Sequence, residues 1–129
     1  MILVDANTVI HYVKGREPVV RRWQSASPQD LAIPSIVVYE IQYGTLRIGA
    51  RRRSLVSELL AGIVQVSFDG EAARDAAHIR FDLETRGLII GPLDLLVAGT
   101  ALSRNATLVT NNTKEFSRVK GLRLMDWTK

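Results

Sequence analysis

The chain has no cysteine, which excludes disulfides and thiolate metal sites and fits a reducing compartment. It has only two histidines, His11 and His78, each remote in sequence from any cluster of acids. Any metal site would therefore have to be built mainly from oxygen. Aromatic residues are scarce at 6% and form no row of the kind single-strand binders use to stack bases. Trp23 and Trp127 read instead as core or interface residues. No stretch approaches the 18 uncharged apolar residues of a membrane span, and no basic segment precedes the first apolar run. A cytoplasmic protein without membrane contact is the expectation.

What is present is a chain of 129 residues, the length of one domain and enough to bury a core without staples. Seventeen basic residues against 13 acidic ones give a net charge of +4 and a pI near 9.9, which points to a polyanionic partner. There is no repeat, low-complexity tract or linker, so residues 1–129 are read as one domain.

Short apolar runs alternate with helical patterns along the whole chain. Strands are predicted at 2–5, 31–34, 64–68, 107–110 and 122–125. Helices are predicted at 7–14, at 18–25 with Pro18 in first position, at 35–48 capped by Ser35, and at 52–61. Two more are predicted at 70–86, capped by Asp69, and at 92–104, with Pro92 in first position. Such alternation predicts an α/β fold: a central parallel sheet of about five strands with helices on both faces.

Three carboxylates break the local patterns. Asp5 follows the apolar run Ile2, Leu3, Val4 and so falls at the carboxyl end of a strand, where open α/β sheets bind ligands. As a lone residue it reads more readily as the cap of the next helix. Glu40 falls within the expected inward stripe Ile36, Val37, Ile41, Gly44, Ile48. A charge there needs a cation, a metal or a raised pKa, unless it pairs with Arg47 or reaches solvent at the stripe's edge. Asp94 shares a helix face with Ala98, Ala101 and Leu102, in a first turn whose dipole also favours an acid. Three carboxylates converging at one sheet edge would repel one another, and a hard divalent ion relieves that repulsion. Oxygen-only ligands point to Mg²⁺ or Mn²⁺, and such a cluster suits phosphodiester cleavage.

The stretches "MILVDANTVI", "IPSIVVYEIQYG", "GLIIGPLDLLVAGTAL", "ATLVTNNTKEF" and "VKGLRLMDW", in this order and spacing, resemble a PIN domain, more narrowly a VapC-type ribonuclease toxin of a toxin–antitoxin pair. The resemblance covers nearly the whole chain. It implies an acidic pocket at Asp5, Glu40 and Asp94, with metal-dependent RNA cleavage, inhibition by a cognate antitoxin, and a homodimer. On this reading Asp5 and Asp94 hold Mg²⁺, with Mn²⁺ an alternative, and Glu40 orients the attacking water or accepts its proton. Ser35 and Thr110 are lesser candidates.

Two positions depart from the family's pattern. Ala6 stands where a hydroxyl residue is usual, and Asn111 and Asn112 occupy the region of a fourth acid. Asn112 is placed in the pocket as a neutral ligand or water holder, while Glu115 is read as the start of a short helix with Phe116 packed inward. Arg47, Arg51, Arg52 and Arg53 could meet RNA phosphates or an acidic antitoxin, or form a solvated helix start. Val19, Val20 and Trp23 with Leu55, Val56 and Leu59 are read as a partner groove or as core. Two rivals stay open. A phosphoacceptor receiver domain usually carries two adjacent early acids, a pair that "LVDAN" lacks. A catalytically inactive PIN-like module would bind RNA or a protein partner without cutting.

Overall fold

The computed structural model describes residues 1–129. Five three- or four-residue strands, β1 (Ile2–Val4), β2 (Leu31–Pro34), β3 (Val64–Val66), β4 (Thr107–Val109) and β5 (Arg123–Met125), form one sheet in the order β3-β2-β1-β4-β5. Every pairing is parallel, with Leu3 opposite both Ala32 and Leu108. The central strands bury both faces, so Leu3, Val4, Ile33, Leu108 and Val109 are fully buried; this is why they read as unbroken apolar runs.

Seven helices connect the strands: α1 (Ala6–Val13), α2 (Val19–Ser25), α3 (Ser35–Thr45), α4 (Ala50–Gly62), α5 (Gly70–Thr85), α6 (Pro92–Ser103) and the one-turn α7 (Thr113–Phe116). They pack in two groups. In the first, α1 touches α2, α3 and α4, while α5 lies along α6 in the second; a contact between α3 and α6 joins the groups. The α5–α6 seam is close because Gly99 faces Ala72 and Ala76, and a Cβ at position 99 would come within 2.7 Å of the Ala72 carbonyl oxygen.

Strand order carries the functional consequence. The chain runs outward from β1 to β2 and β3, then returns past β1 to β4 and β5. The connections leaving β1 and β4 therefore diverge, and a crevice opens between their carboxyl ends. Asp5 and Thr110 are the first residues beyond those two strands.

Several predicted boundaries differ. The strands end one or two residues early at Asp5, Ser67 and Thr110: the Asp5 and Thr110 N–H groups still bond to the Val109 and Met125 carbonyls, but the chain turns into the following segment directly after them. Pro18 precedes α2 instead of opening it, and Pro34, with no side-chain cap, precedes α3. Ser35 is thus the first helical residue, not the cap, and its hydroxyl accepts a hydrogen bond from the Phe68 N–H at 3.2 Å. Helix α3 stops at Thr45, so its buried face is Val37, Ile41 and Thr45, with Gly44 exposed and Ile48 beyond the helix. Asp69 does cap α5, accepting from Ala72 N–H at 3.0 Å, and Pro92 does open α6.

Candidate active site

The crevice is built around Asp5. Its backbone N–H continues the ladder to the Val109 carbonyl (2.9 Å), which orients the residue as the chain turns into α1. One carboxylate oxygen accepts from the Ala6 N–H at 2.8 Å, so Asp5 is the N-cap of α1. The other accepts from the Thr110 hydroxyl at 2.8 Å, a bond made across the crevice. Both readings of Asp5 are thus true together: it caps a helix and faces the switch point. Thr110 is fully buried and its hydroxyl also accepts from the Asn112 N–H at 3.0 Å. Burial pushes the Asp5 carboxyl above its ordinary pKa, and the bonds from Thr110 and Ala6 oppose that rise.

Glu40 reaches the same crevice from α3 and Asp94 from the first turn of α6; these are the two helices that join the packing groups. Glu40 Oε1 is buried without a hydrogen-bond partner. Its carboxyl is pushed up to about 6, first by burial and then by the negative charges of Asp5 and Asp94. Asp94 is likewise raised to about 6, by burial, by the charge of Asp5, and by the charge and a hydrogen bond of Glu115. Gly91 leaves room for this arrangement, since a Cβ there would approach Asp94 Oδ2 to 3.2 Å.

Glu115 is the participant that sequence reasoning placed outside the pocket. Helix α7 forms where expected and Phe116 is fully buried, but the preceding glutamate turns toward Asp94. Asn112 donates from Nδ2 to Glu115 Oε2 at 3.0 Å, so it meets the acidic cluster through Glu115. Asn111 is exposed and accepts from the Asn7 side chain at 3.4 Å. The three-residue step from Asn112 to Glu115 was the available signal; a single helical turn has no periodicity with which to rank it.

Other charged and aromatic side chains lie outside the crevice. Arg80 and Arg86 pair with Glu84 and Asp82 along α5. His78 is exposed against the Arg74 carbonyl, and His11 lies in the last turn of α1. Trp127 is buried edge-on to Trp23, which stacks on Tyr12 with ring centroids 4.3 Å apart. Trp23 and Val20 of α2 face Leu55 and Leu59 of α4 across an apolar groove of about 720 Å³. Of the six residues read as groove or core, Val19 and Val56 belong to the core.

An unpartnered buried carboxylate oxygen and two carboxyls raised by burial and then by like charge describe a site short of positive charge. No three acids converge closely enough to form a closed cage of protein ligands. That donor set fits Mg²⁺, which is usually held by one or two carboxylates and keeps several waters.

A parallel α/β sheet with an acidic crevice at its switch point defines a class of proteins suited to chemistry on phosphate esters. The chain belongs to the PIN domain family, whose profile matches residues 2–122. Among its relatives is the tRNA(fMet)-specific endonuclease VapC of Salmonella typhimurium, 33% identical over 127 residues, covering 97% of this chain and 96% of the relative. Ribonuclease VapC2 of Rickettsia felis is 40% identical over 106 residues, covering 81% and 79% of the two chains. The structure of VapBC2 from Rickettsia felis, bound to a DNA fragment from the promoter, superposes with a TM-score of 0.89 at 33% identity, covering 98% of this chain and 99% of that one. DNA-bound VapBC from Salmonella typhimurium superposes with a TM-score of 0.90 at 32% identity, covering 98% and 97%.

Proposed function

We propose that this protein is a VapC-type toxin: a divalent-metal-dependent endoribonuclease that hydrolyses RNA phosphodiester bonds in the cytoplasm and is silenced by a cognate antitoxin. The observation that carries the reading is the gathering of Asp5, Glu40 and Asp94 at the switch point, where burial first and neighbouring negative charge second raise Glu40 and Asp94 to about 6. Mg²⁺, or Mn²⁺ in its place, would lower the pKa of a bound water and offset charge on the scissile phosphate.

The chain's own groups divide the remaining work. Asp5, fixed by Thr110 and Ala6, and Asp94, free of any short bond to a cation, are the proposed metal ligands. Glu40 presents the partnerless Oε1 and is the proposed acceptor of the water's proton. A base raised to about 6 is largely ionised at neutral pH yet holds a proton better than an ordinary glutamate. Glu115 and Asn112 complete the rim beside Asp94; Glu115 takes the place of the fourth acid, and Asn112 supports it.

The apolar groove between α2 and α4 is the proposed seat of the antitoxin. Partners bury apolar anchors in such grooves, and the relatives' structures are of VapBC complexes. The homodimer expected from the family would use the exposed stripe of Tyr39 and Tyr43 on α3 with Leu46, the residue capping its end, which follow one another at helical spacing.

Adding Mn²⁺ to the purified chain tests the site. Only the folded state presents the cluster, so saturation to about a hundred times Kd should stabilise it by about 2.7 kcal/mol and raise the thermal midpoint. Asp94→Asn should remove most of that shift. A shift of equal size in the variant would place the ion elsewhere and leave the inactive-module reading in force.

A further inference from the structure

A second cavity, of about 240 Å³, opens between α1, α3 and α4. Its walls are apolar: Val9, Ile10 and Val13 of α1, Ile41 of α3 and Val56 of α4. Glu40 closes one side, so the cavity abuts the acidic crevice, and Lys14 and Arg52 stand among its lining residues. Neither cation is engaged in an ion pair, nor are Arg47, Arg51 and Arg53 around the start of α4.

One lining residue is a glycine that the backbone does not require. Gly44 lies within α3 with ordinary helical geometry, and a Cβ there would meet nothing within 4 Å. Glycine inside a helix is less favourable than alanine. Here its effect is to leave the space beside Glu40 empty.

We propose that this cavity receives one unstacked nucleobase of the RNA, next to the phosphate at the acidic crevice, while Lys14 and Arg52 hold the adjoining backbone. The inference rests on the endoribonuclease reading above. Size, lining and charge agree with it. An apolar cavity of about 150 Å³ accommodates a benzene ring, so this one has room for a heteroaromatic base. Single-stranded RNA is recognised by splaying bases into apolar sites while cations track the backbone. The cavity would then set which nucleotide flanks the cut.

The test uses the full chain, free of partner, and the variant Gly44→Leu, which fills the cavity with a better helix former and replaces none of the crevice's acids. The probe is an RNA of about eight nucleotides spanning the strongest cut in total RNA, together with versions abasic at one position each; binding is measured in EDTA and cleavage in Mg²⁺. In the wild type one abasic position should weaken binding by about tenfold or more. In Gly44→Leu the intact RNA should bind as weakly as that abasic one, and the same position should lose its sequence preference among cleavage sites. A flat abasic scan, or an abasic penalty unchanged in Gly44→Leu, overturns the proposal. So does a variant that binds RNA normally but loses its antitoxin, since the cavity would then belong to the partner chain. If the wild type cuts nothing, the endoribonuclease reading fails by itself, and homopolymer octamers in EDTA read the cavity instead: it stands only if Gly44→Leu weakens their binding.

Discussion

At the scale of single residues, the site depends on groups that hold the acids as much as on the acids. Thr110→Val would remove the donor to Asp5 and the acceptor of the Asn112 N–H, both within a buried crevice. Leaving such groups unsatisfied costs about 1–3 kcal/mol, to be read as a lower urea midpoint with unchanged slope. Gly91→Ala should press on the Asp94 carboxylate from 3.2 Å, lowering cleavage by about tenfold with little change in thermal midpoint, because a small misplacement at a reacting centre is costly. Glu115→Gln should have two effects of opposite sign. Without metal it removes one of the charges that raise Asp94, so the fold gains stability at neutral pH; with metal it removes an anionic oxygen, so affinity falls. Titrations with and without Mn²⁺ read both, and equal responses would detach Glu115 from the cluster. Asp5, Glu40 and Asp94 were legible in the sequence because each breaks a pattern long enough to be broken. Glu115 was not, because its position depends on where a single turn of helix directs one flexible side chain.

At the scale of elements, the α5–α6 seam is the most constrained packing. Gly99→Ala would drive a methyl into the Ala72 carbonyl oxygen and Ala76, at 2.7–2.8 Å from backbone atoms that have no room to move. Overpacking of this kind costs about 1–3 kcal/mol, and the expected loss appears in chemical unfolding. Because α6 also carries Asp94, cleavage should fall in the same variant. The sequence made all five strands and six of the helices legible through apolar period and cap chemistry, and the one-turn α7 through the inward-packed Phe116. It misplaced the ends where tertiary bonds decide: Ser35 binds Phe68 across to the next connection instead of capping its own helix. Likewise α3 ends at Thr45, whose hydroxyl bonds back to the Gln42 carbonyl at 2.8 Å, although the apolar spacing continues to Ile48.

At the scale of the whole molecule, the acidic crevice sits in a basic protein, and its charge couples stability to pH. Glu40 and Asp94 are raised to about 6 from 4.5 and 3.8. Between about pH 4 and 6 the folded state therefore holds more protons than the unfolded one, so their contribution to stability falls as pH rises through that window. Asp69, held low first by the Ala72 N–H, and Asp82, held low first by Arg86, act oppositely: their stabilisation is present above 3.8 and is lost in stronger acid. In EDTA the thermal midpoint should thus decline from pH 5 to pH 7.5, less so in Glu40→Gln, and a divalent ion should reverse the decline. Association is a separate property of the surface. Tyr43→Glu on the exposed face of α3 should convert a dimer to monomers in sedimentation while leaving the groove between α2 and α4 able to bind a partner.

The most direct measurement is cleavage of total cellular RNA by the purified chain, freed of any antitoxin, in Mg²⁺ and in EDTA, beside the Asp94→Asn variant. The account predicts discrete fragments in Mg²⁺ and a loss of at least about a hundredfold in rate both in EDTA and in the variant, the scale expected when charge stabilisation at a reacting phosphate is removed. The same fragments appearing at undiminished rate in EDTA, or from Asp94→Asn, would contradict it.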